Sequence, residues 1–410
     1  MAALAVAPAV ALVVTLVTGC SPDGGNASTT TVPGRASAAT AALPEVLGEI
    51  IAGRTAPATD TFEVWVCKVP PDNVDPLYDA SGERLALTPQ DVVQLIGGPV
   101  VSFFTDISHG AYRPEFTVGG TVAISSTDTS QQCIDSAIAR SDRAHDADAV
   151  FVVADAQHAA DQPGGRSTPG GWLTCTADCS AAATGRSVYV GANDFHPGLA
   201  GGMPFDLIEH ELGHSLGLPH SGGGLGTDGN RAVGPYDMMA DPAAPRAADP
   251  SRHDAPDTIA INRLDLGWMS TDATHIVQVD ASSRTPDRVR LSPSTGSTGT
   301  RAALIAIDDH HMLTVELLAA TGFDDHLPRA GVVVHVVNDS PEQCGTTTRC
   351  TDLQRVQQIV GADAANPVND VERTLLGNGD TLTWADWRIT IDTVRDDMAW
   401  ITIGRFDDGT

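Results

Sequence analysis

The 410-residue chain is short of positive charge: 24 Lys and Arg stand against 52 Asp and Glu, a formal net charge of −28, and Lys68 is the single lysine. A surface of that sign repels phosphate backbones and anionic lipid headgroups, so nucleic acid is excluded as a partner. No P-loop, no G-x-G-x-x-G after a strand and no G-x-S-x-G elbow stands out, which removes the common nucleotide-site and serine-hydrolase signatures. No D-x-[DN]-x-[DN]-G loop with a downstream Glu occurs either, although Asp clusters such as Asp324-Asp325 leave Ca2+ open as a second ion. No internal repeat is visible. The apolar run from Ala2 to Val17 is shorter than the about 20 residues a spanning helix needs. What the chain does have is 42% hydrophobic and only 19% charged residues, enough apolar material for real cores. Its length argues for two domains plus a tail.

The apolar run ends in Val17-Thr18-Gly19-Cys20 and turns polar at Ser21-Pro22-Asp23. Small residues before a Cys at that place resemble a bacterial lipobox. The resemblance implies a signal peptide over residues 1–19 and a lipid on Cys20, so that the only membrane contact is an N-terminal anchor. An ordinary secretory signal with an incidental Cys is the alternative, and either one exports the protein. Residues 20–60, rich in Ala, Ser, Thr, Pro and Gly, read as a flexible tether with one short helix over 43–52. Six further cysteines remain: Cys67, Cys133, Cys175, Cys179, Cys344 and Cys350. An even number in an exported chain favours three disulfides over a metal cluster, and sequence alone does not choose among the fifteen pairings. Locality favours Cys175–Cys179 and Cys344–Cys350, which leaves Cys67–Cys133.

Polar–apolar alternation over Thr61–Val69 predicts a strand. Thr88-Pro89-Gln90-Asp91 opens an apolar-periodic helix to Ile96, with Thr88 as N-cap and Pro89 at its first position. A helix over Gln131–Asp146, buried strands at Ala149–Ala154 and Ser187–Val190, and a helix from about Pro204 complete an α/β pattern over residues 61–270. From 271 to 410 the pattern changes. Ile276–Val279, Ala303–Ile307, Leu313–Leu318, Val332–Val337, Trp387–Ile391 and Ala399–Ile403 read as strands between turns, with one short helical stretch at Leu353–Val360. That predicts an all-β, sandwich-like C-terminal domain.

Residues 210–220 read H-E-L-G-H-S-L-G-L-P-H. On a helix His210 and His214 lie one turn apart on one face, so two imidazoles can hold one Zn2+. Gly217 can take the left-handed conformation that ends the helix, and Pro219 bars its continuation. The bend brings His220 round as third ligand, and the open fourth position marks a catalytic rather than a structural site. Glu211 lies where it can take a proton from a metal-activated water.

With this motif the chain resembles the metzincin clan of zinc peptidases. Tyr236-Asp237-Met238-Met239 is similar to the Tyr-Asp-x-Met turn of gametolysin-like and immune-inhibitor-A-like members, which would make Met239 the Met-turn methionine. Tyr236 is then a weak candidate for helping the transition state, because Asp241 stands where some metzincins carry a Tyr. Ile261–Met269 resembles the helix and Leu-Gly-Trp that close the catalytic domain in those families, and Leu313–Asn338 resembles the β-domain that follows. The resemblance implies a metzincin-like zinc peptidase domain and hydrolysis of protein or peptide substrates with Glu211 as general base; a monomer is expected. The resemblance also implies substrate pairing with an edge strand just before the active-site helix, for which Ser187, Val188, Tyr189 and Val190 are the candidates. Two alternatives stay open: a non-catalytic, zinc-containing surface binding or adhesion protein, and a zinc amidase acting on cell-wall peptides.

Overall fold

A computed structural model describes residues 43–52, 57–75, 84–141, 147–159, 166–168, 186–192, 205–222, 234–240, 254–277, 285–344, 355–360 and 371–406. Residues 1–19, expected to be a signal peptide, and Cys20, Cys175, Cys179, Cys350 and Asp241 lie outside them, as does the side chain of Cys344. No helix among the described residues is long and apolar enough to cross a membrane. The described residues are mixed α/β with three principal sheets.

The first sheet is built from β1 (Thr59–Lys68), β2 (Arg113–Ala123), β3 (Ala149–Ala154), β4 (Arg166–Thr168) and β5 (Ser187–Val190), in the order β2-β1-β3-β5-β4. All pairings are parallel except β4 on β5. Parallel strands covered on both faces read as continuous apolar runs, which is why AVFVVA is buried at every position. Helices α1 (Glu45–Ala52), α2 (Pro89–Ile107), α3 (Ser130–Arg140) and α4 (Phe205–Ser215) accompany the strands in sequence.

Helix α2 opens as expected: Thr88 caps it, and Asp91 Oδ2 accepts the Thr88 N–H at 2.8 Å in a capping box. It does not stop at Ile96. It runs through Gly97-Gly98-Pro99 to Ile107 because Val100, Phe103, Phe104 and Ile107 continue the buried stripe begun by Val92 and Ile96. Burial of those side chains outweighs the local cost of the glycines and the proline. Cys133 on α3 forms a disulfide with Cys67 on β1, Cα–Cα 5.7 Å, the pairing reached by elimination.

The second sheet has the order β6-β12-β11-β10-β9-β7, with β6 (Ser221–Gly222), β7 (Thr274–Val277), β9 (Ala302–Ala306), β10 (His311–Leu318), β11 (Gly331–Asn338) and β12 (Val356–Ile359). The third has the order β13-β14-β15-β8, from β8 (Asp287–Leu291), β13 (Thr381–Trp384), β14 (Trp387–Arg395) and β15 (Met398–Arg405). The stretch Leu353–Val360 is thus a correction: its described part holds strand β12, not a helix, because Gln357 and Ile359 point one way while their neighbours point the other. Alternation divides each strand between two cores. Ala303, Ile305, Leu313, Val315, Val332 and Val334 meet Val289, Leu291, Ile389, Ile391 and Ile401 of the third sheet in one cluster. The opposite face, through Ala302, Leu304, Met312 and Val337, packs on α1 and on helix α5 (Ala260–Asp265). Val46, Leu47 and Ile50 of α1 are buried in that second cluster. The flexible character expected over 20–60 therefore does not extend to Glu45–Ala52.

The face toward α5 also buries polar groups. Glu316 and His335 are fully buried, with His335 Nδ1 3.9 Å from Glu316 Oε1, and Glu316 Oε2 accepts the Ala260 N–H at 2.9 Å. Burial pushes the Glu316 carboxyl up to about 7 and the His335 imidazole down to about 3. Because the folded-state value of Glu316 lies above the ordinary 4.5, its contribution to stability is complete below that pH and is lost as pH rises through about 7. Glu316→Gln is accordingly expected to raise stability by on the order of 2–3 kcal/mol at pH 8 and to change it little at pH 4.5. Urea midpoints at the two pH values test this, and an equal effect at both would show that burial of the charge is not the cause.

Candidate metal centre

Helix α4 carries the first two histidines one turn apart. It ends in a Schellman motif: Leu218 N–H donates to Gly213 O at 3.1 Å and Gly217 N–H to His214 O at 2.9 Å, with Gly217 at φ +97°. That reversal returns His220 to the helix. The ligand nitrogens of His210, His214 and His220 lie within 4.8 Å of one another, and the Nε2 atoms of His214 and His220 are 3.0 Å apart.

The other ring nitrogens fix the tautomers. His210 Nδ1 is 2.9 Å from Met238 O, and His214 Nδ1 is 2.7 Å from Leu218 O. A carbonyl oxygen only accepts, so both rings carry their proton on Nδ1 and turn a bare Nε2 to the centre. Burial, then the neighbouring imidazoles, holds His210 well below the ordinary histidine value and pushes His214 down to about 3. Both rings are therefore neutral near pH 7, the form that binds metal. Three convergent imidazoles of this kind can hold one metal ion.

Glu211, 5% exposed, follows His210 on α4 and is an i, i+3 neighbour of His214. Glu209 turns elsewhere: it is fully buried, and its Oε2 accepts the Ala255 N–H at 2.7 Å. Met239 is fully buried beneath α4, and a Cβ on Gly213 would collide with its sulfur. The helix can approach the turn only because residue 213 is glycine. The turn is held in place by Met238 N–H to Asp257 O at 3.0 Å and Ser221 N–H to Met239 O at 3.0 Å.

Tyr236 does not reach this centre as a transition-state group. Its ring is buried with Leu318, Leu327, Val333, Ile359 and Leu375, and its hydroxyl is 2.8 Å from Thr374 Oγ1. Ser187, Val188, Tyr189 and Val190 require a second correction. β5 pairs with β3 on one side, and Ser187–Tyr189 pair with β4 on the other, so among the described residues β5 is interior and β4 is the edge. The three-residue β4 sits in a Gly-, Pro- and Cys-rich stretch whose composition reads as loop, so local sequence gave no strand signal.

His310 Nδ1 pairs with Asp339 at 3.0 Å and His311 Nδ1 with Asp308 at 2.9 Å. Asp324, 1% exposed, accepts the Asp257 N–H at 3.1 Å. Among the described residues, Cys67, Cys133 and His158 form one further cluster of metal-ligand type, and its two sulfurs are taken by the disulfide.

Sequence reasoning passed over Asp237, the acid inside the Tyr-Asp-x-Met run. It is 2% exposed and accepts from Thr258 Oγ1 at 2.9 Å, from Asn262 Nδ2 at 2.8 Å and from Ser221 Oγ. Burial pushes its carboxyl up to about 6 against those donors. An acid inside an otherwise apolar turn was the available signal. No family model matches the chain, and no curated protein matches it.

Proposed function

We propose that the chain is an exported, zinc-dependent endopeptidase of metzincin type, with an α/β peptidase part followed by a β-sandwich part. The observation that carries this reading is the convergence of three imidazoles, two with their bare Nε2 atoms fixed by carbonyl partners, with Glu211 next to His210 on the same helix. The donor set fits zinc. Metal–nitrogen bonds of about 2.0 Å place tetrahedral ligands about 3.3 Å apart, near the 3.0 Å between His214 and His220. Three protein ligands leave a position for substrate and water, and a site that only braced the fold would have no use for a neighbouring carboxylate.

When bound, zinc would polarise the scissile carbonyl and lower the pKa of a water molecule. The protein's own part is then defined. A carboxylate oxygen of Glu211 receives the proton of the attacking water and passes it to the departing amine nitrogen. Met238 O and Leu218 O keep the two helical imidazoles from turning as charge develops. In the clan the substrate extends along an edge strand, and here β4 (Arg166–Thr168) is the edge that borders β5. A lipid on Cys20 would keep this activity at a bacterial cell surface; without it the enzyme is secreted.

The reading is tested by incubating the chain from Ser21 onward, which retains the docked helix α1, with a mixed peptide library while bound metal is quantified. The expected result is about one zinc per chain and cleavage that a chelator abolishes and added zinc restores. Zinc with digestion of isolated peptidoglycan alone would replace this reading with the amidase. Zinc without hydrolysis of either material would make the protein a binder. Folded protein that takes up no zinc would overturn the site.

A further inference from the structure

His220 differs from the other two histidines in how it is held. His210 and His214 belong to α4, whereas His220 lies beyond the turn at Gly217 and is itself exposed. The next residue, Ser221, is fully buried and fixed three times. Its N–H donates to Met239 O at 3.0 Å, its Oγ donates to Asp237, and it pairs with Gln357 where β6 joins β12. Asp237 in turn accepts from Thr258, Ile259 and Asn262 at the start of α5. Asn262 Oδ1 accepts from Gln357 Nε2 at 2.8 Å, which closes the circuit on β12.

We propose, resting on the zinc reading above, that Asp237 is the positioning residue of the third ligand, His220, which it fixes to α5 and the second sheet by holding Ser221. The same short turn then sets two ligands at once. Met238 O orients His210, and the Asp237 carboxylate orients His220 through its neighbour. The Asp237 carboxylate also accepts from the Met239 backbone N–H, so it braces the turn itself as well as Ser221. An asparagine would retain the shape but would turn its amide donors either toward Ser221 and Asn262, which both donate to Oδ2, or toward Thr258 and the Ile259 N–H, which both donate to Oδ1.

The test measures zinc affinity of the full mature chain by chelator competition, together with the visible spectrum of the cobalt-substituted protein, for Asp237→Asn, Ser221→Ala and the double variant. Removing an outer hydrogen-bond partner of a ligand weakens metal binding by about 10–100-fold. We expect a loss of that size for Asp237→Asn, a similar or smaller loss for Ser221→Ala, and no further loss in the double variant. Ser221→Thr, which keeps a hydroxyl, should recover affinity and the native cobalt spectrum. Tyr112→Phe, which removes a buried hydrogen bond to Asp60 on the first sheet, controls for lost stability and should leave zinc affinity unchanged. If Asp237→Asn does not fold, Ser221→Ala decides. Zinc affinity within about threefold of wild type in a folded Asp237→Asn or Ser221→Ala chain, or fully additive losses, overturns the proposal while the zinc site stands. A wild-type chain that binds no zinc fails the reading beneath it instead.

Discussion

Glu211→Ala is expected to slow peptide cleavage by about two to four orders of magnitude, the usual contribution of a positioned general base, while bound zinc and the urea midpoint stay near wild type. The separation follows from the geometry. The three convergent imidazoles do not include Glu211, and the Nδ1 contacts that orient two of them run to Met238 O and Leu218 O. Alanine is the best helix former, and the Schellman end of α4 does not involve position 211. The orientation of the two helical imidazoles and the helix end therefore do not depend on that carboxylate. A Glu211→Gln chain, which keeps the volume and loses the basicity, should be slowed to a similar degree. Loss of zinc together with activity would make Glu211 a structural group, and undiminished cleavage would remove it from the mechanism.

The second large effect is on stability. Arg263→Met is expected to cost about 3–5 kcal/mol, the size seen when one partner of a buried ion pair is removed. Arg263 is fully buried on α5. Its guanidinium donates to Thr258 O at 3.1 Å, to Ile107 O at the end of α2, and to the Asp257 carboxylate. Methionine fills most of the stem's volume but withdraws the guanidinium from those oxygens, of which Asp257 Oδ1 keeps only the Thr258 N–H at 2.7 Å. Burial already raises the Asp257 carboxyl, with Arg263 pulling it back down, so removing the arginine sends it higher. Stability attached to that carboxylate is then lost as pH rises through the new, higher value, and the defect should shrink at pH 5 relative to pH 8. Denaturation at both pH values, with Asp257→Asn/Arg263→Met as partial rescue, tests the account. A cost below about 1 kcal/mol at pH 8 would show that relaxation or water compensates the charge.

The convergence of the three histidines was legible because its logic is local. His210, Glu211, His214 and Gly217 are set by one helix and its cap, so spacing alone arranges them. What had to be read from the fold is what fixes the far end. Asp237 and Gln357 are distant from His220 in sequence, and nothing in their own neighbourhoods announces a partner there. The same division runs through the strands. AVFVVA and SVYV declare themselves by composition, but which of two neighbouring strands becomes the edge depends on pairing, and β4 has only three residues with which to declare itself. Helix α2 continues past Gly97-Gly98-Pro99 for the same reason: its stop signals are local, whereas the core that holds Phe103 and Phe104 is not. The buried Val46, Leu47 and Ile50 of α1 belong to this class too, since a short apolar helix in a polar stretch does not reveal what it docks on.

Residue 221 stands at the rim of the six-stranded sheet, and its strand partner comes more than a hundred positions later. In genetic terms the two halves of this chain are poor candidates for shuffling. A crossover near codon 270 would give a hybrid its His-Glu-x-x-His helix intact but would leave Ser221 facing a foreign strand, Asp257 without Asp324 and Tyr236 without Thr374. Recombination should therefore inherit the stretches around 221, 237, 262 and 357 as one block, even though they are scattered along the gene.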